Sequence, residues 1–314
     1  MSLLRIIFMG TPELAGVSLS ALLRVPAFQI VAVVTQPDQP KGRGLKLQPS
    51  PVKEIAVREN LPVLQPARAR DEQFLQQLRA LQPDLIAVAA YGQILPPGIL
   101  ELPRFGCLNV HTSLLPKYRG ASPIQRAVLN GDLESGVTIM KMDAGMDTGD
   151  MLTQEKTPIL PGDNSQTLHD RLAQIGAELL VRTIPDYVAG KIPPRPQPVE
   201  GASHAAKIKK SDGQIDWSRP ARALWNQVRG MTPWPGAFTF LPGQPPVLLK
   251  IWQTEIAPQS GKPGEILLAD KTGIVVGCGQ ESLRVLAVQR EGGRRLTAQE
   301  FLAGHALRAG QKLG

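Results

Sequence analysis

Leu4-Arg5-Ile6-Ile7-Phe8-Met9-Gly10-Thr11-Pro12-Glu13, continuing through Leu14 to Leu23, joins an apolar run to a tight turn and then to apolar residues at helical spacing. The first run suits a strand buried on both faces, because it lacks the alternation of a half-solvated sheet. Met9 to Pro12 has neither the GxGxxG fingerprint nor the Lys-Ser/Thr ending of a phosphate-binding loop, so its role is a turn into a helix. The same pairing recurs along the chain. Ile30 to Thr35, Leu85 to Ala90, Gly106 to His111 and Gly136 to Met142 suit strands; Val52 to Glu59, Glu72 to Leu81 and Ile124 to Leu129 suit helices. This alternation predicts an α/β fold, a mostly parallel sheet covered on both faces.

At 314 residues the chain exceeds the usual reach of one core, and two domains are expected. Ser165 to Val188 reads as one long helix, and the Pro-rich run Gly190 to Pro198 cannot continue it. We therefore expect a first domain over 1–190, a linker over 191–204 and a second domain over 205–314. In the second, a short helix around Ala221 to Val228 precedes five runs of β character: Ala237 to Leu241, Val247 to Ile256, Gly264 to Leu268, Ile274 to Val276 and Ser282 to Val288. Their Gly- and Pro-punctuated spacing predicts a small β-barrel.

The charge is unevenly placed. Residues 205–314 carry 15 Lys and Arg against 8 Asp and Glu, whereas residues 1–204 carry 20 against 19. Nearly all of the net +8 thus falls in the second domain, which points to a polyanionic partner there, against the plainer reading of a basic, soluble surface. Lys41, Arg43 and Lys46 lie among the Pro and Gly residues of Gln36 to Pro51, read as an irregular exposed loop. That loop is either a solvated insertion or a basic arm reaching an anionic substrate. Cys107 and Cys278 are far apart and without metal-ligand spacing, so buried thiols are expected, with neither disulfide nor metal site. Trp217, Trp225, Trp234 and Trp252 are expected in the barrel core. With no stretch as long as a membrane span, a soluble, cytoplasmic protein is expected.

The chemistry concentrates between Leu108 and Gly149. Asn109 and His111 sit two apart at the end of a predicted strand, so they face the same way beyond its carboxyl end, where such sheets bind ligands. Ser113-Leu114-Leu115-Pro116 and Arg119-Gly120 follow, and Asp143-Ala144-Gly145-Met146-Asp147-Thr148-Gly149 adds a carboxylate on a tight turn. Singly, these residues could cap a strand or a turn. Together, an amide, an imidazole and a carboxylate could support acyl transfer to an amine.

These motifs resemble those of the folate-dependent formyltransferase family: Asn-x-His, then Ser-Leu-Leu-Pro and Arg-Gly, then Asp-x-Gly-x-Asp-Thr-Gly. The resemblance extends to Phe8-Met9-Gly10-Thr11-Pro12, Gln36-Pro37-Asp38, Ala90-Tyr91-Gly92, Pro123-Ile124-Gln125-Arg126, Ile215-Asp216-Trp217 and Pro233-Trp234-Pro235, and so to essentially the whole chain. It is closest to the branch acting on methionyl-tRNA. Thr112 stands where Gly or Ala is familiar, and Tyr118 where Trp is. The resemblance implies a Rossmann-like domain binding 10-formyltetrahydrofolate and an OB-like barrel helping to hold the initiator tRNA, in a monomer. It implies catalytic roles for Asn109, His111 and Asp147, folate contacts from Ser113, Leu114, Leu115 and Pro116, and tRNA contacts from Lys41, Arg43, Lys46, Lys207, Lys209 and Lys210.

Attack of an amine on the formyl carbon places negative charge on the formyl oxygen. The Asn109 amide and a protonated His111 ring could meet that charge, with Asp147 favouring the charged ring and accepting the released proton, directly or through water. No metal is required. Two other readings share these residues: a formyltransferase for a small amine, such as an amino-sugar nucleotide or glycinamide ribonucleotide, and a non-catalytic RNA-binding protein on an enzyme scaffold.

Overall fold

The computed structural model describes residues 3–41, 46–243 and 245–314. The chain forms two compact units. The first comprises Met1–Gly120, Ser135–Thr157 and His169–His204; the second comprises Ala121–Glu134, Pro158–Leu168 and Ala205–Gly314. Each is therefore assembled from stretches that are not contiguous in sequence.

In chain order, the first part of the chain holds β1 (Leu4–Gly10), α1 (Glu13–Leu23), β2 (Phe28–Val34), β3 (Gln39–Lys41), β4 (Lys46–Gln48), α2 (Pro51–Arg58), β5 (Val63–Leu64), α3 (Glu72–Ala80), β6 (Leu85–Ala89), α4 (Pro97–Leu100) and β7 (Cys107–His111). After them come α5 (Pro123–Asn130), β8 (Glu134–Lys141), β9 (Met151–Pro158) and α6 (Ser165–Val188). The main sheet runs β5-β2-β1-β6-β7-β8-β9. Strands β5, β2, β1, β6 and β7 are parallel, and β8 lies antiparallel to β7. The order reverses direction between β1 and β6, the switch point of a doubly wound sheet.

The continuous apolar runs are where the sheet is deepest. Ile6 to Met9 and Leu85 to Ala87 are almost wholly inaccessible, as a strand covered on both faces must be. Helix starts follow local chemistry. Pro51 begins α2 behind Ser50, whose Oγ accepts the Lys53 amide at 3.0 Å. Asn164 holds the first turn of α6 by accepting the Gln166 and Thr167 amides.

One expectation for this part is corrected. Gln36 to Pro51 is not irregular throughout: β3 and β4 pair as an antiparallel ribbon, Lys41 opposite Lys46, and Pro51 already belongs to α2. The short strands β3, β4 and β5 and strand β9 do not show in the periodicity, β9 because its apolar residues are sparse. Cys107 is a buried free thiol pushed up to about 12 by burial, and Cys278 is buried at about 11 for the same chief reason.

The second unit contains α5, α7 (Ala221–Gly230), β10 (Ala237–Leu241), β11 (Val247–Ala257), β12 (Ile266–Asp270), β13 (Gly273–Gly277), β14 (Ser282–Arg290), β15 (Leu296–Thr297) and α8 (Ala298–Gly304). Its sheet runs β10-β11-β14-β13-β12, all antiparallel, with β15 on β14. The tail bridges the two edge strands. Leu313 donates to the Gly264 carbonyl and Ile266 to that of Gln311, while Gly314 donates to the Phe240 carbonyl on β10. These bonds occupy edge groups that would otherwise invite another strand.

The tryptophans divide. Trp217 is buried in the barrel core and donates to Thr239 Oγ1, but Trp225 and Trp252 are half-buried and Trp234 is 50% exposed. The expectation that all four are core is thus corrected. Arg229 lies 4.0 Å over Trp225 and Arg295 3.9 Å over Trp252, so the indoles serve as apolar backing for charged groups at the surface. Among the described residues no helix is long and apolar enough to cross a membrane.

Candidate active site

Strand β7 lies between β6 and β8, and its burial is broken only at Asn109, which is half-buried. Asn109 pairs with Met140 and His111 with Thr138 across the antiparallel ladder, so their positions are set by the interior of the sheet. His111 ends the strand, with 5% of its surface exposed.

The chain then turns back on the imidazole. Ser113 Oγ donates to the Lys117 carbonyl at 2.6 Å, and the Leu115 amide donates to Thr138 Oγ1 at 3.1 Å. This turn brings the Tyr118 carbonyl 3.0 Å from His111 Nε2. A carbonyl only accepts, so Nε2 carries a hydrogen. The other ring nitrogen, Nδ1, lies 3.6 Å from Asp147 Oδ1.

Burial holds the His111 pKa below its ordinary value; the Asp147 charge and the Tyr118 carbonyl pull the other way without prevailing. The resting ring at neutral pH is therefore neutral, with hydrogen on Nε2 and a bare Nδ1. The sequence reading that Asp147 would favour the charged ring is corrected in its balance: the carboxylate is near, but desolvation outweighs it.

Asp147 sits on a loop that is shaped by hydrogen bonds. Asp143 Oδ1 accepts the Gly145 amide at 3.0 Å and the Thr148 hydroxyl at 2.8 Å. Asp147 itself has a φ of +55°, in the left-handed region that costs an L-residue roughly 1–2 kcal/mol. Its Oδ2 accepts the Gly120 amide at 2.8 Å, and an amide bond to a charged acceptor contributes about 1.5–3 kcal/mol, enough to offset the conformational cost. Gly149 is required for close approach, since a Cβ there would lie 2.0 Å from the Lys141 carbonyl oxygen.

Beside this loop lies a cleft of about 150 Å³ lined by Gln93, Ile94, Leu95, Met140, Met142 and the residues from Asp143 to Asp147. Ile94 is 80% exposed and Met146 59% exposed, large apolar side chains left in water at the rim. Of the lining residues, sequence reasoning singled out Asp143 to Asp147 and missed Gln93, Ile94, Leu95, Met140 and Met142; Ala90-Tyr91-Gly92, just beyond β6, was the nearest signal. Ser113 and Leu115 are buried and Leu114 half-buried in the turn after β7, and Ser113 to Pro116 are not among the cleft's lining residues.

Gln197 was also missed. It belongs to the Pro-rich stretch read as a linker, yet its Nε2 donates to the Asp147 and Gly149 carbonyls, each at 2.8 Å. Of the basic residues, Lys207, Lys209 and Lys210 are exposed and flank the buried Ile208, whose amide donates to Ser122 Oγ. Lys41 and Lys46 stand on the β3–β4 ribbon, and Arg43 lies outside the described residues. Among the described residues no group of three or more His, Cys, Asp or Glu could hold a metal ion.

The formyl transferase family matches residues 4–184, and the C-terminal domain of formyl transferases matches residues 207–306. The methionyl-tRNA formyltransferase of Citrifermentans bemidjiense is 50% identical over 311 residues, spanning 99% of this chain and 96% of that protein. That of Geobacter sulfurreducens is 49% identical over 311 residues, spanning 99% and 97%. Among solved structures, the sugar 3N-formyl transferase WlaRD, in the presence of dTDP and 5-N-formyl-THF, superposes with a TM-score of 0.67 at 19% identity, covering 94% of this chain and all of that one. HypX from Aquifex aeolicus in complex with tetrahydrofolic acid gives 0.62 at 15% identity, covering 99% of this chain and 51% of that one. At these identities the structural likeness is one of fold.

Proposed function

This chain belongs to the formyl transferase family, and we propose that it transfers the formyl group of 10-formyltetrahydrofolate to the amino group of initiator methionyl-tRNA. The observation that carries this reading is 50% identity, over 99% of the chain, to a protein of that activity. The enzyme works in translation initiation, as a cytoplasmic monomer.

The cleft beside Asp147 suits the folate donor. Ile94, Leu95, Met140 and Met142 offer apolar walls to a flat ring system, and Asp143 to Met146 bring main-chain donors and acceptors for its polar edges. The bound donor supplies the formyl carbon. Ser113 to Pro116 support this site through the turn that carries the Tyr118 carbonyl to His111.

Asn109 and His111 share a strand face, so the Asn109 amide can donate to the formyl oxygen as it gains charge. A free α-amino group titrates at roughly 8, so a useful fraction is neutral and nucleophilic in the cell. His111 Nδ1, bare at rest, takes the proton that the amine sheds on attack. The imidazolium so formed is stabilised by Asp147 at 3.6 Å and holds that proton for the departing nitrogen. Asp147 thus acts through its charge, with one oxygen already engaged by Gly120.

Recognition of the RNA rests on charge. We assign tRNA contacts to Lys41, Arg43 and Lys46 around the ribbon and to Lys207, Lys209 and Lys210, with 205–314 as the tRNA-holding domain and 191–204 as the stretch leading into it. Supporting this is the net +7 of residues 205–314.

The test is incubation with labelled 10-formyltetrahydrofolate and, separately, charged initiator tRNA, an amino-sugar nucleotide and glycinamide ribonucleotide. Label on the tRNA is expected. Transfer only to a small amine would replace the proposed acceptor, and transfer to none would leave an RNA-binding protein.

A further inference from the structure

Between Pro193 and Glu200 every residue is exposed except Gln197, which turns inward. Both hydrogens of its amide are used: Nε2 donates to the Asp147 carbonyl and to the Gly149 carbonyl at 2.8 Å each. Its Oε1 accepts from Arg119 Nε at 2.9 Å. The opposite amide orientation would aim an oxygen at two carbonyls and a hydrogen-bearing nitrogen at a guanidinium, so the partners dictate the assignment. Two residues earlier, Arg195 exchanges both main-chain hydrogen bonds with Met151, at 2.8 and 3.0 Å. Residues 195–197 therefore run alongside 147–151 as a strap. Arg119 is itself fixed, its amide donating to the Ser203 carbonyl at 2.8 Å, and it directly precedes Gly120, which holds the Asp147 carboxylate.

We propose that Gln197 is a positioning residue for formyl transfer: with Arg119 it clamps the backbone of the Asp147 turn, so that the carboxylate stays at its working distance from His111. Its side chain bonds to main-chain carbonyls and Arg119 and acts through Asp147. The carboxylate is gripped by Gly120 and the peptide backbone by Gln197, so the left-handed residue is fixed from both ends. This inference rests on the formyl-transfer reading of the site.

Gln197→Glu is the discriminating variant. Glutamate keeps the shape and the Arg119 partner but has no hydrogen to give the two carbonyls. The expected result is kcat lowered roughly 10- to 100-fold, the range that a small misplacement of a working group produces, with KM for donor and acceptor little changed and the melting temperature nearly preserved. Once the ionisation of the amine is divided out, the acid limb of the rate profile should also move to lower pH. His111 has the Tyr118 carbonyl on one ring nitrogen and Asp147, the charged group acting on it, beside the other, so a displaced carboxylate supports the imidazolium less. Gln197→Ala should reproduce the kcat loss and the pH shift. Unchanged kcat and pH profile in a folded Gln197→Glu protein would overturn the clamp, as would a loss confined to melting temperature. If the wild type formylates a different amine, the same measurements on that amine still decide the role of Gln197, so the two readings fail separately.

Discussion

The two halves of the site are held by different physics. Asn109 and His111 stand on β7, inside a seven-stranded sheet, where ladder bonds and packing on both faces set their positions. Asp147 stands on a loop whose residues from Asp143 to Met146 are mostly exposed, and it depends on a few named hydrogen bonds: Asp143 to Gly145 and Thr148, Gly120 to Asp147, Gln197 to the backbone. A strand position is secured by many small contributions and tolerates the loss of one. A loop position secured by four or so bonds does not, which makes the loop the side where a conservative change should do most for least stability.

The contrast between strand and loop breaks first if the chemical groups do not matter. Asn109→Ala, His111→Ala and Asp147→Ala should each lower single-turnover formyl transfer by ~100-fold or more, with smaller effects on tRNA affinity. Near-normal rates in all three would remove the trio. Next is Gly149→Ala, which alters no functional side chain but forces a Cβ against the Lys141 carbonyl. It should cost about 1–3 kcal/mol in thermal unfolding and displace Asp147, with transfer falling more than folded fraction. A fully active, fully stable variant would show the loop to be more pliant than its hydrogen bonds imply.

The pH profile sharpens the contrast at His111. Because burial lowers its pKa and the working form is neutral, the rate, once the ionisation of the amine at roughly 8 is divided out, should hold as pH falls past the ordinary histidine value of about 6.5 and decline only below it. Asp147→Asn removes a raising influence, so the residual activity should persist to still lower pH. A limb at or above the ordinary value would mean that the carboxylate, and not desolvation, governs the ring. The smallest effect belongs to the exposed cations. Replacing Lys207, Lys209 or Lys210 singly with Gln should weaken tRNA binding a few-fold and reduce its log–log salt dependence by about 1 for each phosphate no longer neutralised. A slope that ignores all three would place the RNA elsewhere.

Much of this was legible in the chain because burial writes itself into composition. Continuous apolar runs marked the interior strands of the parallel sheet, and all five runs of the barrel fell where strands form. The approach of Asp147 to His111 was legible because a strand-end Asn-x-His and a Gly-bracketed Asp are local patterns. Edge elements were not: β9 has few apolar residues, and β3 and β4 consist of three residues each, including a proline. The Trp residues misled because size suggested core, while Trp225 and Trp252 back arginines and Trp234 faces water.

By itself, the sequence determined the alternation of strand and helix, the family, and the placing of Asn109 and His111 at the end of one strand, since each of these depends on residues close together in the chain or on their burial. Tertiary structure alone decided the protonation of His111, the walls of the cleft and the grip of Gln197. Those depend on how deeply a ring is desolvated and on which carbonyls come within 3 Å of a side chain 48 to 50 positions away, and neither quantity has a local signature.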